Sequence, residues 1–202
     1  SEVILDNAGD IYLASCTQSD NFPTIGAFQT TNNGGTHHQD AVVLKLSPNV
    51  STLLFSTYLG GDGDDAAYVL DISPTTGILY VAGGTESSTN SLPGNHAGTL
   101  GPTSSGGVDG FVAMISGTTL VRSAFFGTTS YDQIYGIKFD RKGFPYIVGQ
   151  TKGTWPHVNA TYFDNGAKQF IAKLQPDLSA YVYSTVFGKP ASDPSISPTA
   201  FL

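Results

Sequence analysis

Hydrophobic residues in this chain fall in short runs that stop well before helix length. Four follow one another between Ser56 and Ser116: Ser56-Thr57-Tyr58-Leu59-Gly60, Tyr68-Val69-Leu70-Asp71-Ile72, Ile78-Leu79-Tyr80-Val81-Ala82 and Gly110-Phe111-Val112-Ala113-Met114-Ile115. Gly, Asp, Pro and Thr divide them. Runs of this kind, rich in Val, Ile, Tyr and Phe and bounded by turn formers, predict β-strands. Nowhere does an apolar 3.6-residue period persist long enough for an amphipathic helix.

The same pieces recur on both sides of this stretch. Ser56 opens Ser-Thr-Tyr-Leu-Gly, Ser123 opens Ser-Ala-Phe-Phe-Gly and Ser184 opens Ser-Thr-Val-Phe-Gly. Gly60, Gly127 and Gly188 then correspond, as do Asp65 with Asp132 and Tyr68 with Tyr135. The stretches 3–14, 70–82 and 137–148 each turn at a Gly, which is a hairpin signal. Tyr12, Tyr80 and Tyr146 hold one position and are expected to share one environment. The closing run starts at Asp40, Asp109 and Gln169. Within it Lys45 and Lys173 stand where Met114 stands, which points to a charged outer edge.

Self-similarity at this spacing predicts an all-β β-propeller built of four-stranded antiparallel blades, about three of them, forming a partial ring. Cut at the Ser runs, the array is a partial blade at 1–52, blades at 53–119 and 120–178, and the start of a next blade at 179–202. Ser56, Ser123 and Ser184 are then expected on innermost strands. Fewer than four blades implies a larger ring, or one completed by two chains. Antiparallel order puts the Gly/Asp loops (62–65, 128–132, 189–195) at the same end as the long loops (17–39, 85–108, 151–167).

Charge and composition narrow the partners. A net charge of −7, with nine Lys and Arg in 202 residues, supplies no basic footprint for nucleic acid. No apolar run approaches the roughly 20 residues of a membrane span, so no membrane insertion by this segment is expected. No signal peptide is legible. The single cysteine, Cys16, rules out an intrachain disulfide and reads as a small core residue.

Phe55-Ser56-Thr57-Tyr58-Leu59-Gly60-Gly61-Asp62-Gly63-Asp64-Asp65 and Phe22-Pro23-Thr24-Ile25-Gly26-Ala27-Phe28-Gln29 resemble the two hallmark stretches of the bacterial β-propeller repeat called SBBP. Leu92-Pro93 and Trp155-Pro156 are looser copies of the second. The resemblance covers nearly the whole chain. It implies a propeller fold and a secreted or surface-exposed protein of the Bacteroidetes kind, exported by the type IX route and associated with gliding motility or adhesion. Secretion machinery is then a partner. The resemblance carries no catalytic residues.

Several side chains have two readings. Asp62, Asp64 and Asp65 offer oxygens suited to Ca²⁺, the one cofactor considered. The alternative is that Asp65 and Asp132 hold turns by accepting main-chain N–H groups. His37 and His38 are adjacent, so on an extended chain they point apart and do not share a zinc ion. Trp155, Tyr162 and Phe163 could stack on sugar rings, as could Phe22 and Phe28. Alternatively Phe22-Pro23 and Trp155-Pro156 plug gaps between blades. No nucleophile elbow or phosphate loop is present. Glu2 and Glu86 are the only Glu, and their positions do not recur. The expected function is therefore a non-enzymatic surface scaffold that binds protein or glycan on its long-loop face. The rivals are an extracellular polysaccharide-cleaving enzyme using loop carboxylates and a passive spacer or secretion cargo.

Overall fold

The computed structural model describes residues 1–190 and 192. Among these there is no helix. The chain forms three four-stranded antiparallel sheets, the blades of the expected β-propeller array. The first holds β1 (Glu2–Leu5), β2 (Ile11–Thr17), β3 (Asp40–Leu46) and β4 (Leu53–Leu59). The second holds β5 (Asp65–Ile72), β6 (Leu79–Thr85), β7 (Asp109–Ser116) and β8 (Thr119–Phe126). The third holds β9 (Asp132–Phe139), β10 (Pro145–Thr151), β11 (Gln169–Leu174) and β12 (Tyr181–Phe187). In each sheet the strands lie in chain order.

The sheets divide the chain one strand later than the Ser-run repeat does. The Ser56 strand is not the opening strand of a blade. It pairs with β3, Leu44 opposite Ser56, and closes the first sheet. Ser123 and Ser184 likewise close the second and third sheets, so three complete blades replace two whole blades and two pieces. The connection 60–64 crosses from one sheet to the next and is not a hairpin. The innermost strands are β1, β5 and β9: β1 packs on β5, β5 packs on β9, and Lys138 Nζ lies 3.6 Å from Glu2 and 3.8 Å from Asp71. Ser56, Ser123 and Ser184 thus occupy equivalent positions on outer strands rather than inner ones. The 199–202 run proposed as a further strand, and most of the loop 189–195, lie outside the described residues.

The outer position explains the recurring Ser. Each long loop folds back over the exposed edge of its own sheet. Ser56 Oγ donates to the Pro23 carbonyl and Ser123 Oγ to the Pro93 carbonyl, each at 2.5 Å. Ser184 Oγ accepts from Trp155 Nε1 at 2.9 Å. Main-chain bridges Ile25–Ser56 and Val158–Ser184 extend the cover. An unpaired edge strand invites stray pairing, and these loops occupy it.

The hairpin turns match the Gly signals: Gly9, Gly77 and Gly143 have φ of 82°, 70° and 84°, a region that favours Gly. The two lysines do not mark an edge. Lys45 lies on the interior strand β3, 2.7 Å from Asp10 and 3.3 Å from Asp6, with its ammonium over the Tyr12 ring. Lys173, on β11, binds Asp140 at 2.7 Å over Phe144 and Tyr146. Both neutralise a turn carboxylate. In the second sheet Ser73 replaces that Asp, and an uncharged Met114 suffices. The three tyrosines accordingly differ: Tyr80 is buried between sheets and edge-on to Phe139, while Tyr12 and Tyr146 lie beneath lysines. Cys16 is exposed near the loop end of β2, not in the core.

Candidate functional site

The Gly/Asp crossings and the long loops do share one face, as the bonds between them show. Asp62 accepts from Ser88 N at 2.8 Å and from the Ser88 and Ser91 hydroxyls. Asp64 accepts from the main-chain N–H groups of His37 and Gln39 and lies 2.6 Å from His37 Nδ1. Asp65 is buried and accepts from Gly61 N and Ser87 Oγ. Asp62 and Asp65 thus hold adjacent residues of one long loop, Ser88 and Ser87, while Asp64 holds the preceding long loop at His37 and Gln39. Their donors hold Asp62 and Asp64 below the usual carboxylate range, whereas burial pushes Asp65 up to about 7. Among the described residues no group of three or more His, Cys, Asp or Glu is placed to hold a metal. His37 and His38 point apart, to Asp64 and Asp20.

Of the three aromatics read as ligand-binding, Trp155 is not available to a ligand. It is buried, parallel to Phe170 with centroids 3.5 Å apart, in the core between the second and third sheets. Leu92, its counterpart in the second sheet, is buried in the core between the first and second sheets. Both residues plug gaps between blades, and the following Pro carbonyl or the ring N–H anchors the loop to the outer strand. Tyr162 and Phe163 are exposed, at 61% and 42%. Phe163 stacks on His157, and the Tyr162 hydroxyl donates to Asp164.

Two tyrosines near the axis were recognised in the sequence only as a repeat. Tyr68 and Tyr135 are the residues skipped by the register on β5 and β9: Ala67 faces Gly83 and Val69 faces Ala82, and likewise Ile134 faces Gly149 and Gly136 faces Val148. A bulge kinks the strand and re-aims its side chain. Here two bulges bring the rings together, 5.3 Å apart and 17° from parallel. Gly83 and Gly149 are required opposite them, because a Cβ at either would collide with a main-chain carbonyl, that of Ala66 or Gln133. Gln133 receives the Tyr135 hydroxyl and donates to the Tyr68 hydroxyl at 3.0 Å. A cavity of about 180 Å³ opens beside Tyr68, lined further by His37, Asp64, Glu86, Tyr131 and Gln133. The available signal was the pairing of Tyr68 with Tyr135 together with Gly83 and Gly149, but a skipped register is visible only once strands are paired.

The chain matches no protein-family model and no curated protein.

Proposed function

We propose that this chain is a non-enzymatic binding scaffold of the SBBP kind, displayed outside the cell, that takes a glycan on its long-loop face. The observation that carries this reading is the bulge-presented tyrosine pair beside a small polar cavity. Aromatic faces supply apolar contact to a sugar ring, while Gln133, Tyr131, Asp64 and Glu86 supply directional hydrogen bonds to its hydroxyls. Tyr162 and Phe163 offer a second aromatic surface on the same face. The carboxyls with strongly raised pKa values, Asp65 and Asp109, are sealed inside sheet junctions, so a polysaccharide has no contact with them. That favours binding over cleavage.

Calorimetric titration with a panel of neutral oligosaccharides tests the proposal. Binding that weakens about tenfold or more in Tyr131→Ala and Gln133→Ala supports it. No binding by the whole panel, or binding unchanged in both variants, overturns it. A response confined to protein partners would assign the face to protein contacts instead.

A further inference from the structure

The two sheet junctions differ at the end away from the long loops, where the hairpin turns lie. Between the second and third sheets that end is closed. Tyr80 is 2% exposed and meets Phe139 edge-on, with centroids 4.8 Å apart. Its hydroxyl donates to the Pro176 carbonyl. The Phe139 N–H donates to Asp71 Oδ2 at 3.1 Å, so a carboxylate of the second sheet fixes the main chain that carries the ring. Thr75 reaches the next turn: a Cβ on Gly143 would stand 2.4 Å from its Oγ1.

Between the first and second sheets the same end is open. Tyr12 stands where Tyr80 stands, but the register puts Ile72 where Phe139 stands. The turn 6–10 is one residue shorter than 73–78 and does not reach its neighbour. A Cβ on Gly77, the counterpart of Gly143, would meet nothing within 4 Å. The gap is a cavity of about 680 Å³ walled by Ile4, Tyr12, Ile72 and Pro74, with Asp6 and Asp71. That volume is in the range of ligand sites. Around it four carboxylates, Glu2, Asp6, Asp10 and Asp71, share the two ammonium groups of Lys45 and Lys138, which leaves two negative charges in excess.

We propose that this groove binds an extended peptide segment of a protein partner, seating one aromatic side chain against Tyr12 with a Lys or Arg beside it. The second junction supplies the template, because its corresponding space is filled by the ring of Phe139, carried on a main chain. A ring in the groove gains edge contact with Tyr12 and covers Ile4, Ile72 and Pro74. A flanking cation answers the excess carboxylate charge and selects against acidic segments. The groove lies at the opposite end of the sheets from the long-loop face, so the proposal is independent of the glycan reading.

The test is NMR titration of the ¹⁵N-labelled chain with the blocked peptide Ser-Lys-Phe-Lys-Ser, using Ser-Lys-Ala-Lys-Ser and Ser-Glu-Phe-Glu-Ser as controls. The expected result is a Kd of about 1 mM or tighter for the first peptide only, with shifts confined to residues 4–12 and 71–77. Ile72→Phe should fill the groove as Phe139 fills the second junction, weakening binding about tenfold or more and raising the melting temperature. Should that variant fail to fold, Pro74→Lys, at an exposed turn position, weakens the same peptide by charge. Tyr131→Ala leaves binding unchanged. No shifts at several millimolar peptide, equal binding of the alanine control, or full binding by both Ile72→Phe and Pro74→Lys would overturn the proposal. Shifts centred on Tyr68 and Tyr135 would place the peptide on the long-loop face and would equally overturn it.

Discussion

Between the first and second sheets small aliphatic residues surround three phenylalanines: Ala14, Val43, Leu59, Leu70 and Leu92 pack with Phe55, Phe111 and Phe125. Between the second and third it is more aromatic, with Trp155 flat on Phe170 and Tyr80 edge-on to Phe139. Phe111 and Phe170 are register equivalents, opposite Gly83 and Gly149, and Leu92 and Trp155 precede equivalent prolines. Yet both junctions share a buried Asp pair, Asp40 with Asp65 and Asp109 with Asp132, and a Gly against it, Gly60 or Gly127. The contrast separates two kinds of constraint. Apolar filling needs volume and shape, so Leu and Trp can exchange if neighbours adjust. The Asp–Gly corner leaves no room for a Cβ and accepts no such exchange.

The largest effect should come from emptying the aromatic junction. Phe170→Ala should cost about 4 kcal/mol by chemical denaturation, more than Phe111→Ala, since only the former strips Trp155 of its stacking face. As the only tryptophan, Trp155 also reports this junction by fluorescence. Equal losses in the two variants would refute the difference drawn here.

Next in size is a pH dependence of stability. Burial pushes Asp65 up to about 7 and Asp109 up to about 6, each helped by its paired Asp, and burial raises Asp40. Asp40 also feels His38, which opposes the rise, and Asp64, which adds to it. From about pH 4 to 7 the folded state then holds more protons than the unfolded chain. This contribution to stability is therefore full below pH 4 and is lost as pH rises towards 7, a loss of several kcal/mol as an order of magnitude. Asp6, Asp62, Asp64, Asp140 and Asp177, whose pKa values are lowered, act below this window. The fall should continue about one unit higher for the first junction than for the second, so Asp65→Asn should flatten its upper part and Asp109→Asn its lower part. Melting curves across pH 4–8 check this, and a stability that rises over that range would contradict it.

Smaller, and equal at the two corners, should be the cost of a single methyl group. Gly60→Ala and Gly127→Ala are each expected to lose about 2 kcal/mol, because the methyl strikes a buried carboxylate rather than a pliable apolar chain. Gly77→Ala, where a Cβ meets nothing within 4 Å, isolates the purely conformational part of such a loss at its φ of 70°. Least of all, Lys45→Met should cost under about 1 kcal/mol, the loss shrinking as salt is added. A salt-independent loss would assign the effect to packing on Tyr12.

Strand-level features were open to sequence reasoning because they are local. Alternation, β-rich composition and Gly at left-handed turns gave the four-stranded repeat and even the shared face of the loops. The recurring Ser of the outer strand was visible too, but not its position. Its strand sits between two connections of nearly equal length, 47–52 and 60–64, and neither pattern nor spacing says which is the hairpin. Trp155 was ambiguous for a similar reason: an aromatic before Pro looks alike whether it plugs a gap or faces solvent. Lys45 beside Asp6 and Asp10, with Met114 beside Ser73, was a readable covariation that the edge-strand reading passed over.

Hydrophobic period and turn chemistry along the chain were enough to dictate that these residues form repeated antiparallel sheets, because each is satisfied by neighbours within a few positions. Which strand closes a sheet, where a bulge turns Tyr68 toward Tyr135, and which aspartates meet across a junction were settled only by tertiary packing. Those contacts join residues far apart in sequence, and a free energy of contact leaves no mark on the chain until both partners are in place.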